Sequence, residues 1–409
     1  MRHRWKKVVL SCLMVLALVA TLGLGCGEDE EKEKVTITIG HLTDIAGPAG
    51  SALKPITNSL IDQVRDFNEK EVIPGVEIKV VVYDTKYDPS RFIPGYNWAR
   101  DRGATVISTE MGEVGIAVKA FAERDKLPVY CYTGMESIID PPGWVFCANP
   151  IQEWQVRATL KYVGDQWDAL EKGRPAKIGL VSWDSPTFYE YERGMDYATD
   201  HPETFDYVGG YATPMGGLTW SGEVSKLKDC DYVMIAAIGG LMPATFAKEF
   251  RDKEEVHATF LGTDALAAFK SLLIDKVGWE DMDGTITVHG WTWWTYDSPV
   301  VDYVIDILEK YRPDEVEETI ASGIGGIGGG IQVYLYLDVL RQAIEAVGAE
   351  NFDGQAFYDA AESFSTTWEG FKEASWSPTK RYASDWSNLW EWDKDVEDLV
   401  FIKWVEVIK

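Results

Sequence analysis

The residue types that carry out most protein chemistry occur throughout this chain, but they are not spaced as a catalytic site. Among 409 residues there are 66 Asp and Glu, and their pairs have no spacing diagnostic of acid–base catalysis. A hydrolase nucleophile needs a Ser or Cys with a His in reach, and no G-x-S-x-G or similar motif occurs. Zinc-ligand spacing is missing from the four histidines past the N-terminal segment, which are His41, His201, His257 and His289. We therefore expect no enzyme, no metal site and no cofactor.

One glycine-rich segment matches a cofactor motif. Gly323-Ile-Gly325-Gly-Ile-Gly328 has the form G-x-G-x-x-G, the dinucleotide fingerprint. That motif functions directly after a strand, where its glycines approach a pyrophosphate. Here it follows the charged, helix-like segment Pro313–Ala321 and precedes an amphipathic helix, Ile331–Ala346. We interpret it as a flexible start of that helix.

Three cysteines follow the N-terminal segment, namely Cys131, Cys147 and Cys230, without a C-x-x-C pair. Outside the cytoplasm, Cys131 and Cys147 could form a disulfide. Buried free thiols are the alternative, and the sequence does not decide between the two.

The first 26 residues have the pattern of an export signal. Four basic residues precede the apolar run Val8–Leu24, and small residues flank Cys26. Cys26 stands where a lipoprotein signal places its lipidated cysteine, although Gly23 occupies a position that is usually Leu. We predict a lipoprotein signal over 1–26, lipidation at Cys26 and an acidic tether over 27–34. Plain secretion and an uncleaved anchor are the alternatives.

Composition and charge narrow the partners. Hydrophobic residues make up 46% of the chain, which is enough for a large core, and the length past residue 34 suggests two domains. The net charge of −27 falls to about −31 when the basic residues of the signal are removed. Such a surface repels a phosphate backbone, so we expect no nucleic-acid partner.

Strand-like and helix-like segments alternate along the rest of the chain. The first strand patterns are Val35–Ile39, Val76–Tyr83, Ala104–Ser108 and Leu127–Cys131. After Pro150 the alternation restarts, with strand patterns at Lys177–Val181, Tyr207–Tyr211, Asp231–Ala236 and Ala258–Leu261. Strands that alternate with helices indicate βαβ units and parallel sheets. The sequence therefore predicts an α/β protein with two doubly wound lobes.

In order and content, these segments resemble the type I periplasmic binding protein family, close to the branched-chain amino-acid receptors. The matching pieces are Gly40 with Gly47-Pro48, Val82–Asp84 with Asp88–Ser90, Lys126–Tyr130 with its loop to Ser137, Val145–Pro150, Asp231–Gly240 and Phe260–Asp264. The resemblance implies two parallel-sheet lobes joined by a three-strand hinge, with crossings near Ala148–Pro150, Ile286–Trp291 and Ser375–Ala383. Lobe 1 would comprise 35–149 plus 291–375, and lobe 2 would comprise 150–290 plus 376–409.

The resemblance also implies a function. Proteins of this family bind a small molecule between the lobes, and we expect the chain to deliver an amino acid or related compound to an ABC permease. Its expected location is extracytoplasmic, at a membrane, through the lipid anchor. A ligand sensor of the same fold is the alternative, and a hydrolase is a weaker one. A sensor would need a transmembrane signalling segment or a cytoplasmic partner, which we do not expect here.

Ligand-binding residues follow from the same resemblance. The equivalent positions in lobe 1 and at the hinge are Gly112, Glu113, Thr133, Gly134, Met135, Trp291 and Trp293, and those in lobe 2 are Gln152, Phe188, Gly239 and Asp264. Backbone N–H groups at helix N-termini in such loops suit an anionic group.

Two acids among these residues have competing interpretations. Asp264 occupies the position that holds the ligand ammonium in the family's amino-acid receptors, but it could instead cap the following helix, Ala265–Ile274. Glu113 stands where those receptors usually have a small hydroxyl residue. It would repel a ligand carboxylate and favour a cation, or simply pair with its own helix dipole.

The aromatic cluster Trp291, Trp293, Trp294 and Tyr296 also has two interpretations. It could form a wall of the cleft that stacks on rings or holds an ammonium group. Core packing is the alternative.

Overall fold

The computed structural model describes residues 34–253 and 256–409. The predicted signal over 1–26, the lipidation of Cys26 and nearly all of the tether over 27–34 therefore lie outside the described residues.

A five-stranded sheet is built from the first part of the described chain. Its elements are β1 (Val35–Thr43), α1 (Gly50–Glu69), β2 (Val76–Asp84), α2 (Phe92–Arg100), β3 (Ala104–Thr109), α3 (Gly112–Asp125), β4 (Val129–Cys131), α4 (Glu136–Ile139) and β5 (Val145–Cys147). The strand order is β2-β1-β3-β4-β5, and the pairs β1–β3, β3–β4 and β4–β5 are parallel. Strands β4 and β5 are buried along their whole length, as expected for a sheet covered by helices on both faces.

A seven-stranded sheet follows. Its elements are α5 (Gln152–Ala169), β6 (Ala176–Trp183), α6 (Pro186–Gly194), α7 (Asp196–Asp200), β7 (Phe205–Thr213), α8 (Ser221–Leu227), β8 (Tyr232–Ile235), α9 (Leu241–Arg251), β9 (Thr259–Thr263), α10 (Asp264–Ala267), α11 (Lys270–Val277), α12 (Trp279–Met282) and β10 (Ile286–His289). The order is β14-β13-β10-β9-β8-β6-β7. The pairs among β6 to β10 are parallel, β13 pairs antiparallel with β10, and β14 pairs antiparallel with β13. The α/β fold with parallel-sheet lobes is therefore confirmed.

The remaining elements follow β10. They are α13 (Pro299–Tyr311), α14 (Val316–Ser322), α15 (Gly325–Val347), α16 (Gly354–Glu362), β11 (Ser365–Thr366), β12 (Ala374–Ser375), β13 (Trp386–Asp393) and β14 (Asp398–Glu406). Helix α15 packs against α1, α13 and α16. Within the described ranges no single helix is long and apolar enough to cross a membrane, although the bent pair Pro313–Ser322 and Gly325–Val347 passes by length and composition, with a 105° bend.

Two predicted helices differ in extent from the observed ones. The spacing of apolar residues predicts a helix over Ile56–Glu69, but helix α1 begins six residues earlier, at Gly50, although it contains Pro55. Its apolar face, with Ile56, Leu60 and Val64, is buried as the periodicity indicated. The predicted helix Ala265–Ile274 is instead two short helices, α10 and α11.

The segments predicted as hinge crossings lie next to one another. Cys147 N–H donates to the carbonyl oxygen of Arg381 at 2.7 Å, and Trp376 Nε1 donates to the carbonyl oxygen of Cys147 at 3.0 Å. A Cβ atom on Gly290 would lie 2.5 Å from Asn149 Oδ1, so only glycine allows this approach. The residue limits of the two lobes stay a prediction.

Cys131 and Cys147 are in-register neighbours on β4 and β5, and both are buried free thiols. Hydrogen bonding with Cys147, together with burial, raises the pKa of the Cys131 thiol well above its ordinary value. Of the two alternatives left open by the sequence, the structure has the free thiols.

Candidate ligand-binding cleft

A cavity of about 870 Å³, partly open to solvent, lies at the carboxyl ends of strands from both sheets. Segments following β3, β4 and β5 contribute Glu110, Met111, Gly112, Glu113, Tyr132, Thr133, Asn149 and Gln152. The second sheet's side contributes Thr187, Ala237, Ile238, Gly239, Asp264, Ala265, Ala268, Phe269 and, after β10, Trp291. The N-terminal turns of α1 and α15 complete the wall. This position is where open α/β sheets bind ligands.

Glycines allow the loops of the first sheet to meet closely. A Cβ atom on Gly112, the first residue of α3, would lie 2.2 Å from Met135 Sδ. A Cβ atom on Gly134 would lie 2.4 Å from the carbonyl oxygen of Pro150. Larger residues would push these loops apart, so the two glycines bring the N-terminus of α3 to the cavity wall.

Another glycine joins the two sides of the cavity. Gly239 has a φ of 67°, a left-handed conformation that favours glycine, and its α-carbon faces Pro48 from the first sheet's side. The next residue, Gly240, donates its N–H to the carbonyl oxygen of Pro48 at 3.2 Å. Backbone from the two sides therefore meets at this rim of the cavity.

Glu113 links elements on opposite sides of the cavity. Its Oε1 accepts a hydrogen bond from the Thr187 hydroxyl at 2.8 Å, and its Oε2 accepts one from the Tyr87 hydroxyl at 3.2 Å. Thr187 lies in α6, beside the second sheet, whereas Glu113 lies in the first turn of α3. Burial and the neighbouring Glu113 raise the pKa of Tyr87 well above its ordinary value, so Tyr87 stays a donor. The bond to Thr187 therefore spans the cleft between the two sides.

Glu110 is a buried acid whose nearest basic group is His41. Its side chain is only 2% exposed, and neither carboxylate oxygen accepts a hydrogen bond from any described residue. His41 Nε2 lies 3.0 Å from Oε1, but the same nitrogen lies 3.1 Å from the Thr57 hydroxyl. The Glu110 carbonyl oxygen accepts from the Thr133 hydroxyl at 2.6 Å, which fixes the turn.

Asp264 begins α10 and is half-buried at the cavity wall. Its Oδ2 accepts a hydrogen bond from Asn149 Nδ2 at 2.9 Å. Burial raises the pKa of Asp264 to about 6, despite hydrogen bonds from the Gly290 backbone and Asn149 that favour the charged form. Thr263 occupies the N-cap, where its hydroxyl accepts from Ala265 N–H at 3.2 Å. Helix capping therefore does not depend on Asp264 alone.

Several buried polar atoms of cavity residues have no hydrogen-bond partner in the described part of the chain. Besides Glu110, they are Asn149 Oδ1, Gln152 Oε1, Gln332 Oε1, Tyr132 Oη and Trp291 Nε1. Buried polar groups are nearly always paired, so their concentration around one cavity indicates a site that a polar ligand completes.

The family model described as periplasmic binding protein matches residues 36–395. The chain belongs to this family. Members of this family are solute-binding proteins. Comparison with curated protein sequences finds no match.

Solved structures of other binding proteins share the fold. A branched-chain amino acid ABC transporter protein from Thermus thermophilus with bound valine has a TM-score of 0.78 and 18% identity, over 92% of this chain and 97% of that one. A fatty acid ABC transporter substrate-binding protein from Thermomonospora curvata has a TM-score of 0.78 and 16% identity, over 91% and 92%. A Rhodopseudomonas palustris solute binding protein in complex with 3,4-dihydroxy benzoic acid has a TM-score of 0.73 and 16% identity, over 92% and 99%. At these identities the likeness shows the fold.

Seven residues proposed from the sequence lie in the wall of this binding protein's cavity. They are Gly112, Glu113, Thr133, Gln152, Gly239, Asp264 and Trp291. Whether each of them contacts a ligand stays a prediction.

The structure places the other four behind the wall. Met135 packs beneath Gly112, and the Gly134 carbonyl oxygen accepts from Gln152 N–H at 3.0 Å. Phe188 belongs to the core beside the second sheet. Trp293 is fully buried, and its Nε1 donates to Asp398 Oδ1 at 3.0 Å. These four residues lie behind the wall and support it.

Core packing therefore explains most of the aromatic cluster. Trp294 Nε1 donates to the carbonyl oxygen of Gly323 at 2.9 Å, and Tyr296 packs against Phe371. Only Trp291, of the four clustered aromatics, reaches the cavity.

The glycine motif needs a correction. Helix α15 begins at Gly325, so Gly325 and Gly328 are helical instead of forming a flexible lead-in, and both line the cavity. A Cβ atom on Gly325 would lie 2.5 Å from the carbonyl oxygen of Ala52 in α1. The glycines permit close contact between α15 and α1, a role that the match to the cofactor motif did not indicate.

Sequence reasoning missed several wall residues, namely Tyr87, Glu110, Tyr132, Asn149, Thr187 and Gln332. Glu110 lies just past the strand pattern Ala104–Ser108, so the rule that ligands bind at the carboxyl ends of strands could have found it, whereas the strand before Asn149 was not among those predicted. Gln332 had no such signal, because it lies within a helix far along the chain.

Proposed function

We propose that this protein is the extracytoplasmic solute receptor of an ABC importer, anchored to a membrane through Cys26. It captures a small polar ligand, an amino acid or a related compound, and delivers it to a permease. The solved relatives with bound valine and with 3,4-dihydroxy benzoic acid support capture of small polar solutes.

One observation carries the proposal. Polar groups from both sheets converge on one cavity, and the bond between Glu113 and Thr187 crosses it. A ligand that touches both sides would stabilise the closed arrangement, because it gains contacts that the open arrangement lacks. Closure would occur at the three adjacent crossings, as in other hinged binding proteins.

Ligand capture can be tested with the purified full chain. Thermal-shift screening against a metabolite panel should identify a stabilising compound, since ligand that binds only the folded state raises its stability. Small-angle scattering with that compound should then give a smaller radius of gyration. Binding without any change in size would contradict closure.

A cavity variant and a surface variant make the result specific. Ala265→Trp places an indole in the cavity wall and should abolish stabilisation by the compound. Ala120→Trp, on the exposed side of α3, should leave it unchanged. Equal binding by both variants would place the ligand site elsewhere.

A further inference from the structure

The charges around the cavity have one sign. Three carboxylates, Glu110, Glu113 and Asp264, belong to its wall, and the wall contains no Lys, Arg or His among the described residues. The nearest imidazole contact is that of His41 with Glu110, at 3.0 Å. A ligand in this cavity therefore meets acids from both sheets and no basic side chain in the wall.

The fold gives these acids only partial compensation. Glu113 and Asp264 accept hydrogen bonds from neutral side-chain donors, namely Thr187, Tyr87 and Asn149. Neither Glu113 nor Asp264 has an ion-pair partner among the described residues, and the buried Glu110 has only His41, whose Nε2 lies 3.0 Å from its Oε1. Buried carboxylates are costly unless they are paired, so a positive charge supplied from outside would stabilise this set.

Several neutral polar groups of the cavity wall also have no hydrogen-bond partner among the described residues. Asn149 Oδ1, Gln152 Oε1 and Gln332 Oε1 are acceptors on side chains that are 6–7% exposed, and none receives a donor from the described chain. Trp291 Nε1 is an unpartnered donor at the same wall. A ligand with several N–H groups would donate hydrogen bonds to these acceptors.

A carboxylate on the ligand would find a poor position. The N-terminus of α3 would be its natural site, because helix N-termini favour anions. Glu113 stands in that first turn and places its own carboxylate beside the cavity. The Glu113 carboxylate would repel a ligand carboxylate placed there, so the N-terminus of α3 is a poor site for an anion.

We propose that the cleft selects a small organic cation, an amine, diamine or guanidine with more positive than negative charge, over zwitterionic and anionic solutes. The inference rests on the proposed function and narrows its ligand class. Apolar parts of the wall, which include Ile56, Phe269 and the Trp291 ring, would hold the carbon skeleton.

Pairs of compounds that differ only in a carboxylate test this directly. Isobutylamine and valine, putrescine and ornithine, agmatine and arginine, and tyramine and tyrosine are titrated into the purified full chain by calorimetry, together with 4-hydroxybenzoate. We expect at least one amine to bind at least tenfold more tightly than its carboxylated partner, and 4-hydroxybenzoate not to bind.

Variants test whether the cavity acids cause the selectivity for amines. Glu110→Gln keeps the shape of the side chain and should lower the affinity for the amine at least tenfold. It should also reduce the difference in affinity between the amine and its carboxylated partner. Glu123→Gln, on the exposed end of the same α3 helix, should leave the affinity unchanged. Equal loss in both variants, or none in Glu110→Gln, would overturn the role of the cavity acids.

The possible failures are distinguishable. If valine, another zwitterion or 4-hydroxybenzoate binds at least as tightly as the amines, the cation inference fails and the receptor function stands. If no compound of any charge class stabilises the chain or changes its scattering, the receptor function fails as well.

Discussion

The side-chain amide of Asn149 donates to Asp264 Oδ2 across 2.9 Å, joining the segment after β5 to the first turn of α10. Asn149 lies in a predicted hinge crossing, and Asp264 lies at the cavity wall. The contact therefore joins an acid of the cavity wall to a predicted hinge segment. A ligand that binds Asp264 would also change the charge environment of that crossing.

Replacing Asp264 separates its charge from its shape. We expect Asp264→Asn to weaken binding of an ammonium ligand by about 2–4 kcal/mol, or roughly 30- to 1000-fold. Folding stability should change far less, because Thr263 supplies the helix cap. Calorimetric titration measures the affinity, and Asp275→Asn, an exposed site in α11, is the control. Unchanged affinity in Asp264→Asn would reduce this acid to a structural role.

The raised pKa of Asp264, about 6, predicts a pH dependence with a defined sign. An ammonium ligand needs the ionised carboxylate, so its affinity should rise about tenfold from pH 5 to pH 7. As the pH rises from about 4 to 6, the unliganded protein should lose stability, because the folded state holds the Asp264 proton more tightly than the unfolded chain does. In the Asp264→Asn variant, titrations at several pH values should show no such rise in ligand affinity. A rise that persists in the variant would point to another group.

The bond between Glu113 and Thr187 predicts a separate effect on closure. Thr187→Val keeps the side-chain shape and removes the hydroxyl donor, which should destabilise the closed form by about 1 kcal/mol. The dissociation constant should then rise roughly fivefold, mainly through faster ligand release. Stopped-flow release kinetics provide the measurement.

Thr204→Val is the matched control for that experiment. The Thr204 hydroxyl also donates to an acid, Asp168, at 3.1 Å, and neither residue lines the cavity. Release should be unaffected in this variant. Similar acceleration in both variants would indicate a general loss of rigidity.

The fold was predictable from the sequence because its signals are local. Strands such as Val129–Cys131 are short buried apolar runs, and helix α1 has a clear apolar period. The position of the cavity was implied by the family resemblance, from which residues such as Gly112 and Gly239 were proposed, and it agrees with the rule for strand ends. Helix boundaries were predicted less accurately. The start of α10 after Thr263 and the break between α10 and α11, before Lys270, depend on tertiary contacts.

The composition of the cavity was harder to predict because it depends on contacts between distant segments. Glu113 meets Thr187 across 74 positions of sequence, and Asn149 meets Asp264 across 115. No local pattern reports such pairs. For the same reason, Trp293 could not be distinguished from Trp291 until their surroundings were known.

Lipidation of Cys26 is a prediction about the N-terminal segment. Mass spectrometry of the native protein should find an N-terminal diacylated cysteine, and Cys26→Ser should abolish both lipidation and membrane association. Ligand affinity should be the same in the two forms, because the cavity residues all lie past residue 48. A membrane-bound Cys26→Ser protein with its apolar run intact would instead indicate an uncleaved anchor.

The close contact between α15 and α1 gives the last prediction. A Cβ atom on Gly325 would lie 2.5 Å from the Ala52 carbonyl oxygen, and backbone cannot move aside as a flexible side chain can. We expect Gly325→Ala to lower the free energy of unfolding by about 1–3 kcal/mol. Both helices border the cavity, so ligand affinity should fall as well. Gly222→Ala is the control, because a Cβ atom there meets nothing within 4 Å and alanine favours the helix α8. Denaturant titration should therefore show destabilisation in the first variant and an equal or higher stability in the second. If Gly325→Ala were as stable as Gly222→Ala, the glycines of α15 would not be required by this helix contact.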